Sequence, residues 1–159
     1  MAKRDQKLRK NPNFSWKDVE TADEKNTKEL KKIISKIGWP TFSKVGERAA
    51  HASWLLAQHT KDNEFRERCL ELMKENLNGV SKKDVAFLED RVCLRKYGYQ
   101  IYGTQVKSEE KDGKVITELL PVKDSDKLIE LRENMGLDTI EEQIIRCEKM
   151  YLECLKDKN

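Results

Sequence analysis

The stretch TADEKNTKELKKIISKIG, residues 21–38, decides the fold class of this chain. Thr21 is followed three residues later by Glu24, and such a pair forms the capping box of a helix amino terminus. Apolar residues then recur at the spacing of one helix face: Leu30, Ile33, Ile34 and Ile37. Gly38 interrupts the pattern, so the stretch predicts an amphipathic helix that begins at Thr21 and ends at Gly38.

The same spacing predicts further helices along the rest of the chain. They cover approximately residues 49–59, 63–77, 81–97, 128–131 and 140–151. The turn GWPT (38–41) precedes the second helix, and the turn pair at 78–79 precedes the fourth, which Ser81 caps.

A small hairpin is predicted between the fourth helix and the last two. Residues 99–106 have a strand-like pattern, Asp112 and Gly113 form a turn pair, and 115–117 are strand formers. We therefore predict a mainly α (α+β) fold: a compact helical domain of about five or six helices with one small antiparallel β-hairpin.

The length of 159 residues fits one domain, and we predict a basic flexible tail at 1–15 and a single globular domain at 16–159. The tail holds five basic residues: Lys3, Arg4, Lys7, Arg9 and Lys10. A solvated chain end is the favoured interpretation, with contact to nucleic acid as the alternative. Charged residues make up 38% of the chain, but the net charge is only +3, which indicates solvated helix faces rather than disorder.

Several classes of protein lack their required sequence features. No apolar run is long enough to cross a bilayer, and charge follows Met1, so we expect a cytoplasmic protein with no membrane contact. The four cysteines form no CxxC pair, and the chain has no P-loop, GxGxxG, GxSxG or HExxH motif. We predict no metal and no cofactor, and we expect reduced, buried thiols.

His59 and Asp90 are the candidate catalytic residues. His59 lies one turn beyond two leucines at the end of its predicted helix, and Asp90 lies among apolar neighbours on another. If the two side chains meet, Asp90 could set the tautomer of His59 and make it a general base. The structural alternatives are a satisfied histidine at a helix end and a carboxylate that braces the hairpin. His51 is a weaker candidate.

A polar segment at 100–105 is the candidate binding wall. By strand alternation Gln100, Tyr102 and Thr104 share one face, and Gln105 joins them only through a bulge at Gly103. The alternative is an ordinary solvent-facing strand.

Five separated motifs resemble a known family. They are Asp23 with Asn26, GWPT (38–41), WLLAQH (54–59), AFLEDRV (86–92) and GYQIYGTQ (98–105). In this order they resemble the bacterial family catalogued as domain of unknown function 6624. Arg132 resembles an arginine that follows the hairpin in that family. The resemblance implies that one site collects Gln58, His59, Asp90, Arg91, Gln100, Tyr102, Thr104 and Gln105, but it implies no reaction.

A nucleotide-like or other phosphorylated ligand is the first hypothesis for such a site. Arg91 and Arg132 would pair with phosphate, Trp39 or Tyr102 would stack on a ring, and the glutamines would orient the ligand. Hydrolysis is one version, and another is sequestration of a cyclic-nucleotide immune signal, as small phage anti-defence proteins perform. The alternative is a non-catalytic scaffold for a protein or nucleic-acid partner, in which the polar motifs are structural. Enzymatic activity and oligomeric state stay open.

Overall fold

The structure is a computed structural model, and it describes residues 1–9, 15–112 and 114–156. Its helices are α1 (Ala2–Arg9), α2 (Trp16–Ile37), α3 (Phe42–Val45), α4 (Glu47–His59), α5 (Asn63–Lys74), α6 (Lys82–Tyr97), α7 (Leu128–Asn134) and α8 (Ile140–Lys156). A 3-10 turn covers Leu77–Gly79, and the strands are β1 (Val106–Lys111) and β2 (Lys114–Leu119). The predicted mainly α fold with one antiparallel hairpin is confirmed.

The chain divides into two compact units. The amino-terminal unit is Met1–Leu88, and the carboxyl-terminal unit is Glu89–Asn159. Helices α1 to α5 belong to the first unit, and the hairpin, α7 and α8 belong to the second. A single domain over 16–159 stays a prediction.

Helix α2 begins earlier than the capping box predicted. Ser15 is its N-cap and accepts a hydrogen bond from the backbone N–H of Lys17 at 3.2 Å. Thr21 therefore lies inside the helix, where its hydroxyl donates to the carbonyl of Lys17. The predicted end is correct, because Gly38 has a φ of 68° and its N–H closes the last turn on Ile34.

The amino terminus contains a helix where we predicted a flexible tail. Residues Ala2–Arg9 form α1, which contacts α2 and α4, and the Arg9 guanidinium pairs with Asp23 of α2 at 2.5 Å. The Asp23 carboxylate is 7% exposed, so this pair supplies a counter-charge that a buried carboxylate needs. Lys10 lies outside the described residues.

Apolar residues of α2, α4, α5 and the first turns of α6 form the core of the amino-terminal unit. Its most deeply buried members are Leu30, Trp39, Ala57, Cys69, Met73, Val85, Ala86 and Leu88. A buried hydrogen bond of 2.9 Å from the Thr27 hydroxyl to that of Thr60 ties the middle of α2 to the end of α4. Helix α4 ends at His59, as predicted.

The hairpin of the carboxyl-terminal unit begins where the predicted strand was expected to end. β1 starts at Val106, which pairs with Leu119 of β2, and α8 contacts both strands. Residues 100–105 form a loop, apart from one isolated bridge between Gln100 and Val122. The predicted strand at 99–106 is therefore wrong, and so is the alternation inferred from it. Gly113 of the predicted turn lies outside the described residues.

Candidate functional site

Asp90 organises the 100–105 loop. Its side chain is fully buried, and its Oδ1 accepts hydrogen bonds from the backbone N–H groups of Ile101 and Tyr102 at 2.7 and 2.9 Å. Its Oδ2 accepts a third from the backbone N–H of Thr104 at 2.8 Å. Three amide donors replace the water that a carboxylate loses on burial. This geometry favours the bracing role for Asp90, and its predicted partnership with His59 stays a prediction.

Gln100 closes the same loop from inside. The side chain is fully buried, and its Nε2 donates to the carbonyls of Gln105 and Leu120 at 2.9 and 2.8 Å. Its Oε1 accepts from the backbone N–H of Gln105 at 2.8 Å. The amide group therefore forms its hydrogen bonds with the protein backbone, which favours a structural role over the predicted ligand contact.

Arg132 holds the carbonyl side of the loop. It is 3% exposed, and its Nη1 donates to the carbonyls of Tyr102 and Gly103 at 2.7 and 3.2 Å. Its Nε and Nη2 donate to the carbonyl of Asp138, and Nη2 also reaches Gln143. Burial is the main cause that lowers the pKa of Arg132. With each of its nitrogens bonded to protein oxygen, the guanidinium favours an internal role over the predicted phosphate contact.

Gln143 is a member of this network that the sequence did not reveal. Its Nε2 donates to the carbonyl of Gly103 at 2.8 Å, and the residue is 1% exposed. It lies on α8, 40 positions from Gly103, and no local sequence pattern links the two residues.

The loop presents a smaller set of side chains than predicted. Tyr102 and Gln105 are partly exposed, whereas Thr104 is 5% exposed and accepts a hydrogen bond from the Gln105 side chain at 3.0 Å. The Tyr102 hydroxyl donates to Glu89 at 3.2 Å. Burial, and then the nearby Glu89 charge, raise the pKa of Tyr102, so its phenol is a hydrogen-bond donor at neutral pH and not a base. Arg91 lies on α6 and is partly exposed.

The predicted residues of the amino-terminal unit differ in their accessibility. Trp39 is 1% exposed and lies in the core beside Trp54, so it is not available for stacking on a ligand. Gln58 is 7% exposed, and His59 is partly exposed at the last position of α4.

Unpartnered polar atoms mark the interior of this unit. Both side-chain polar atoms of Asn26, the indole nitrogen of Trp54 and Oε1 of Gln58 are buried, and none has a hydrogen-bond partner within the described part of the chain. Each such atom costs about 1–3 kcal/mol unless something satisfies it. Asn26 is one residue from Thr27, and Gln58 is two from Thr60, so both lie close in sequence to the contact that joins α2 and α4.

The structure contains a histidine–carboxylate pair that no sequence pattern predicts. His51 Nδ1 lies 2.9 Å from Oδ2 of Asp84, and the imidazole lies against the Trp54 ring with centroids 4.8 Å apart. Burial, as the largest cause, raises the pKa of Asp84, and the hydrogen bond to His51 opposes that shift. The two residues are 33 positions apart, so only the fold brings them together.

One comparison with known proteins identifies a family. The model of the family described as "Family of unknown function (DUF6624)" matches residues 8–156. The chain belongs to this family. The match covers the loop, its anchors Asp90, Gln100 and Arg132, and the polar residues of α2 and α4. No curated protein and no solved structure gives a significant match.

Two features are absent from the residues that the structure describes. No group of three or more His, Cys, Asp or Glu side chains in these residues could hold a metal ion. Likewise, none of the described helices has both the length and the apolar character of a membrane span.

Proposed function

We propose that this chain binds a small nucleotide-like anionic ligand through its amino-terminal unit. The observation that supports the proposal is the set of buried polar atoms without partners on Asn26, Trp54 and Gln58. Buried polar groups in folded proteins almost always have partners, and exceptions need a reason. A ligand that supplies the missing hydrogen bonds is such a reason.

The types of these atoms suggest a base-like ligand. The Asn26 amide offers one donor group and one acceptor, which is the complement of the adenine edge that asparagine binds in two-point fashion. Trp54 and Gln58 are four residues apart on α4 and so project from the same face of the helix, where they add a donor and an acceptor.

A neighbouring cleft suits the phosphate of such a ligand. It has a volume of about 390 Å³ and is lined by Thr27, Thr60, three lysines and two acidic residues, Glu24 and Asp62. Lys31 pairs with Asp62, and Lys61 pairs with Glu20. Lys28 has no such pair among the described residues, and we assign it to the phosphate oxygens. If the ligand is hydrolysed, His59 is the residue to which we assign proton transfer.

Thermal unfolding in the presence of a panel of nucleoside monophosphates, nucleoside triphosphates and cyclic dinucleotides tests the proposal. A ligand at 100 times its Kd stabilises the folded state by about 2.7 kcal/mol. Asn26→Ala should abolish the ligand-induced stabilisation without lowering the stability of the free protein, because it removes atoms without partners and alanine favours helix by up to ~0.7 kcal/mol. Asn78→Ala, at an exposed asparagine in the same unit, is the matched control.

Two results would contradict the proposal. It fails if no member of the panel shifts the thermal unfolding transition. It also fails if a nucleotide stabilises the Asn26→Ala protein as strongly as the parent.

A non-catalytic scaffold is the second candidate, and the anchored loop favours it. The polar side chains that anchor the loop form hydrogen bonds with the backbone, as in structural motifs; they are Asp90, Gln100 and Arg132. A partner surface is available on the carboxyl-terminal unit, where Tyr97 and Tyr99 stack with centroids 5.6 Å apart. Lys96 and Lys123 lie over these rings. Salt-dependent binding of a single-stranded oligonucleotide that is lost in Tyr97→Ala, with no response to free nucleotides, would support this candidate.

A further inference from the structure

A groove on the amino-terminal unit shares no lining residue with the phosphate cleft of the proposed nucleotide site. It has a volume of about 1110 Å³ and is lined by residues of α1 and α4, so we call it the α1–α4 groove. Its floor includes the apolar side chains of Val45, Ala49, Ala52 and Leu55. Ligand cavities typically measure about 300–1,000 Å³, so a small molecule with an apolar chain has room here.

His51 lines this groove with its orientation already fixed. Asp84 holds its Nδ1 at 2.9 Å, and Trp54 supports one face of the ring. The imidazole is 54% exposed, whereas the Asp84 side chain is 11% exposed. Nε2 has no hydrogen-bond partner in the part of the chain that the structure describes. A carboxylate on Nδ1 favours the tautomer with its proton there, which leaves Nε2 as the nitrogen that can meet a ligand.

The charges that line the groove favour an anion. Arg48 and Lys3 are exposed there, and neither forms an ion pair with a described residue. Glu47 is the opposing acidic residue of the lining. Arg48 stands four residues before Ala52 and seven before Leu55, which places its guanidinium in line with the apolar strip of α4.

We propose that the α1–α4 groove binds an amphipathic carboxylate. The apolar chain of the ligand lies along Ala49, Ala52 and Leu55, and its carboxylate accepts hydrogen bonds from the Arg48 guanidinium and lies beside the His51 imidazole. Arg48 on the apolar strip favours binding of a carboxylate over an amine. The apolar chain of the ligand favours its binding over that of a small anion such as acetate.

Calorimetric titration with octanoate below its micellar concentration tests this inference. Octanoate should bind, whereas octylammonium and acetate should bind at least about tenfold more weakly. Arg48→Ala should weaken octanoate binding about tenfold, and Leu55→Asp should abolish it. Asn26→Ala should leave it unchanged, so failure of this inference and failure of the proposed nucleotide site are distinguishable.

The imidazole resonances give an independent readout, because the chain has two histidines and His59→Gln assigns them. Octanoate should shift the His51 signal and leave that of His59 in place. Asp84→Asn should weaken octanoate binding, because His51 loses the carboxylate that fixes the orientation of its ring. His51→Gln is a second variant, which keeps a polar group at the position. Equal affinity for octanoate and octylammonium, a shift confined to His59, or no binding at all would each overturn the inference.

Discussion

A carboxylate can remain inside a protein only where donors replace its water, and Asp90 shows how fully this can be done. Its two oxygens receive three backbone N–H groups from the loop at 100–105, at distances between 2.7 and 2.9 Å. The loop in turn obtains partners for amides that have no strand to pair with. Asp90 thus supplies acceptors for the loop amides, and the loop amides supply donors for the buried carboxylate.

Asp90→Asn should destabilise the protein by about 2–4 kcal/mol, because an amide NH₂ would face backbone donors that need an acceptor, and hydrogen bonds to charged groups contribute about 1.5–3 kcal/mol each. Urea unfolding measures the change. Asp126→Asn, at an exposed aspartate of the same unit, is the control and should stay within ~0.5 kcal/mol of the parent. A folded, equally stable Asp90→Asn protein would return the residue to the list of catalytic candidates.

At the scale of the elements, helix ends were easier to predict than the strand. Gly38 and His59 end their helices as expected, because a positive φ at glycine and the close of an apolar stripe are local signals. The start of α2 was missed because Ser15 caps the helix six residues before Thr21. The strand predicted at 99–106 is a loop in the structure, because side chains from α6 and α7, remote in sequence, take the hydrogen bonds that a neighbouring strand would have taken.

The site was predictable to a similar extent. The sequence pointed to Asp90 and the polar residues at 100–105, whose types are unusual for packing. It could not tell that Gln100 and Arg132 turn inward, because the direction of a loop side chain depends on tertiary contacts. Nor could it pair His51 with Asp84, since no local pattern links two residues on different helices.

Gly103→Ala should cost about 1–2 kcal/mol, which is the price of a left-handed backbone for a residue with a Cβ. The φ at Gly103 is 66°, and an added Cβ would lie 3.5 Å from Leu128 and 3.6 Å from Arg132, which is ordinary contact. Gly98→Ala is the matched control, because its φ is 78° with open space around the Cβ position. Equal losses in urea unfolding would indicate backbone strain alone, and an unchanged Gly103→Ala protein would contradict the strained turn.

At the scale of the whole molecule, the thiols report on unfolding of each unit. Cys69 is fully buried in the amino-terminal unit and Cys93 is 8% exposed in the other, whereas Cys154 is exposed. Burial raises the pKa of Cys69 to about 12, which suppresses its reactive thiolate.

Iodoacetamide should therefore label Cys154 first, Cys147 more slowly, and Cys69 and Cys93 only as the protein unfolds. Mass spectrometry of digests across a urea series measures each site. If residues 16–159 form one cooperative domain, the labelling of Cys69 and Cys93 should rise at the same urea concentration. Separate midpoints would show that the two units open independently, and rapid labelling of Cys69 in native protein would contradict its burial.

The backbone conformation of residues 100–105 is determined mainly by residues other than the exposed ones of the loop itself. Asp90, Arg132 and Gln143 hold it from three helices, while Ile101, Tyr102 and Gln105 contribute partly exposed side chains. Substitutions at those three exposed positions can therefore alter the chemistry of the surface without redrawing its outline. Such a segment is a ready frame for a randomised library, and natural drift could use it in the same way.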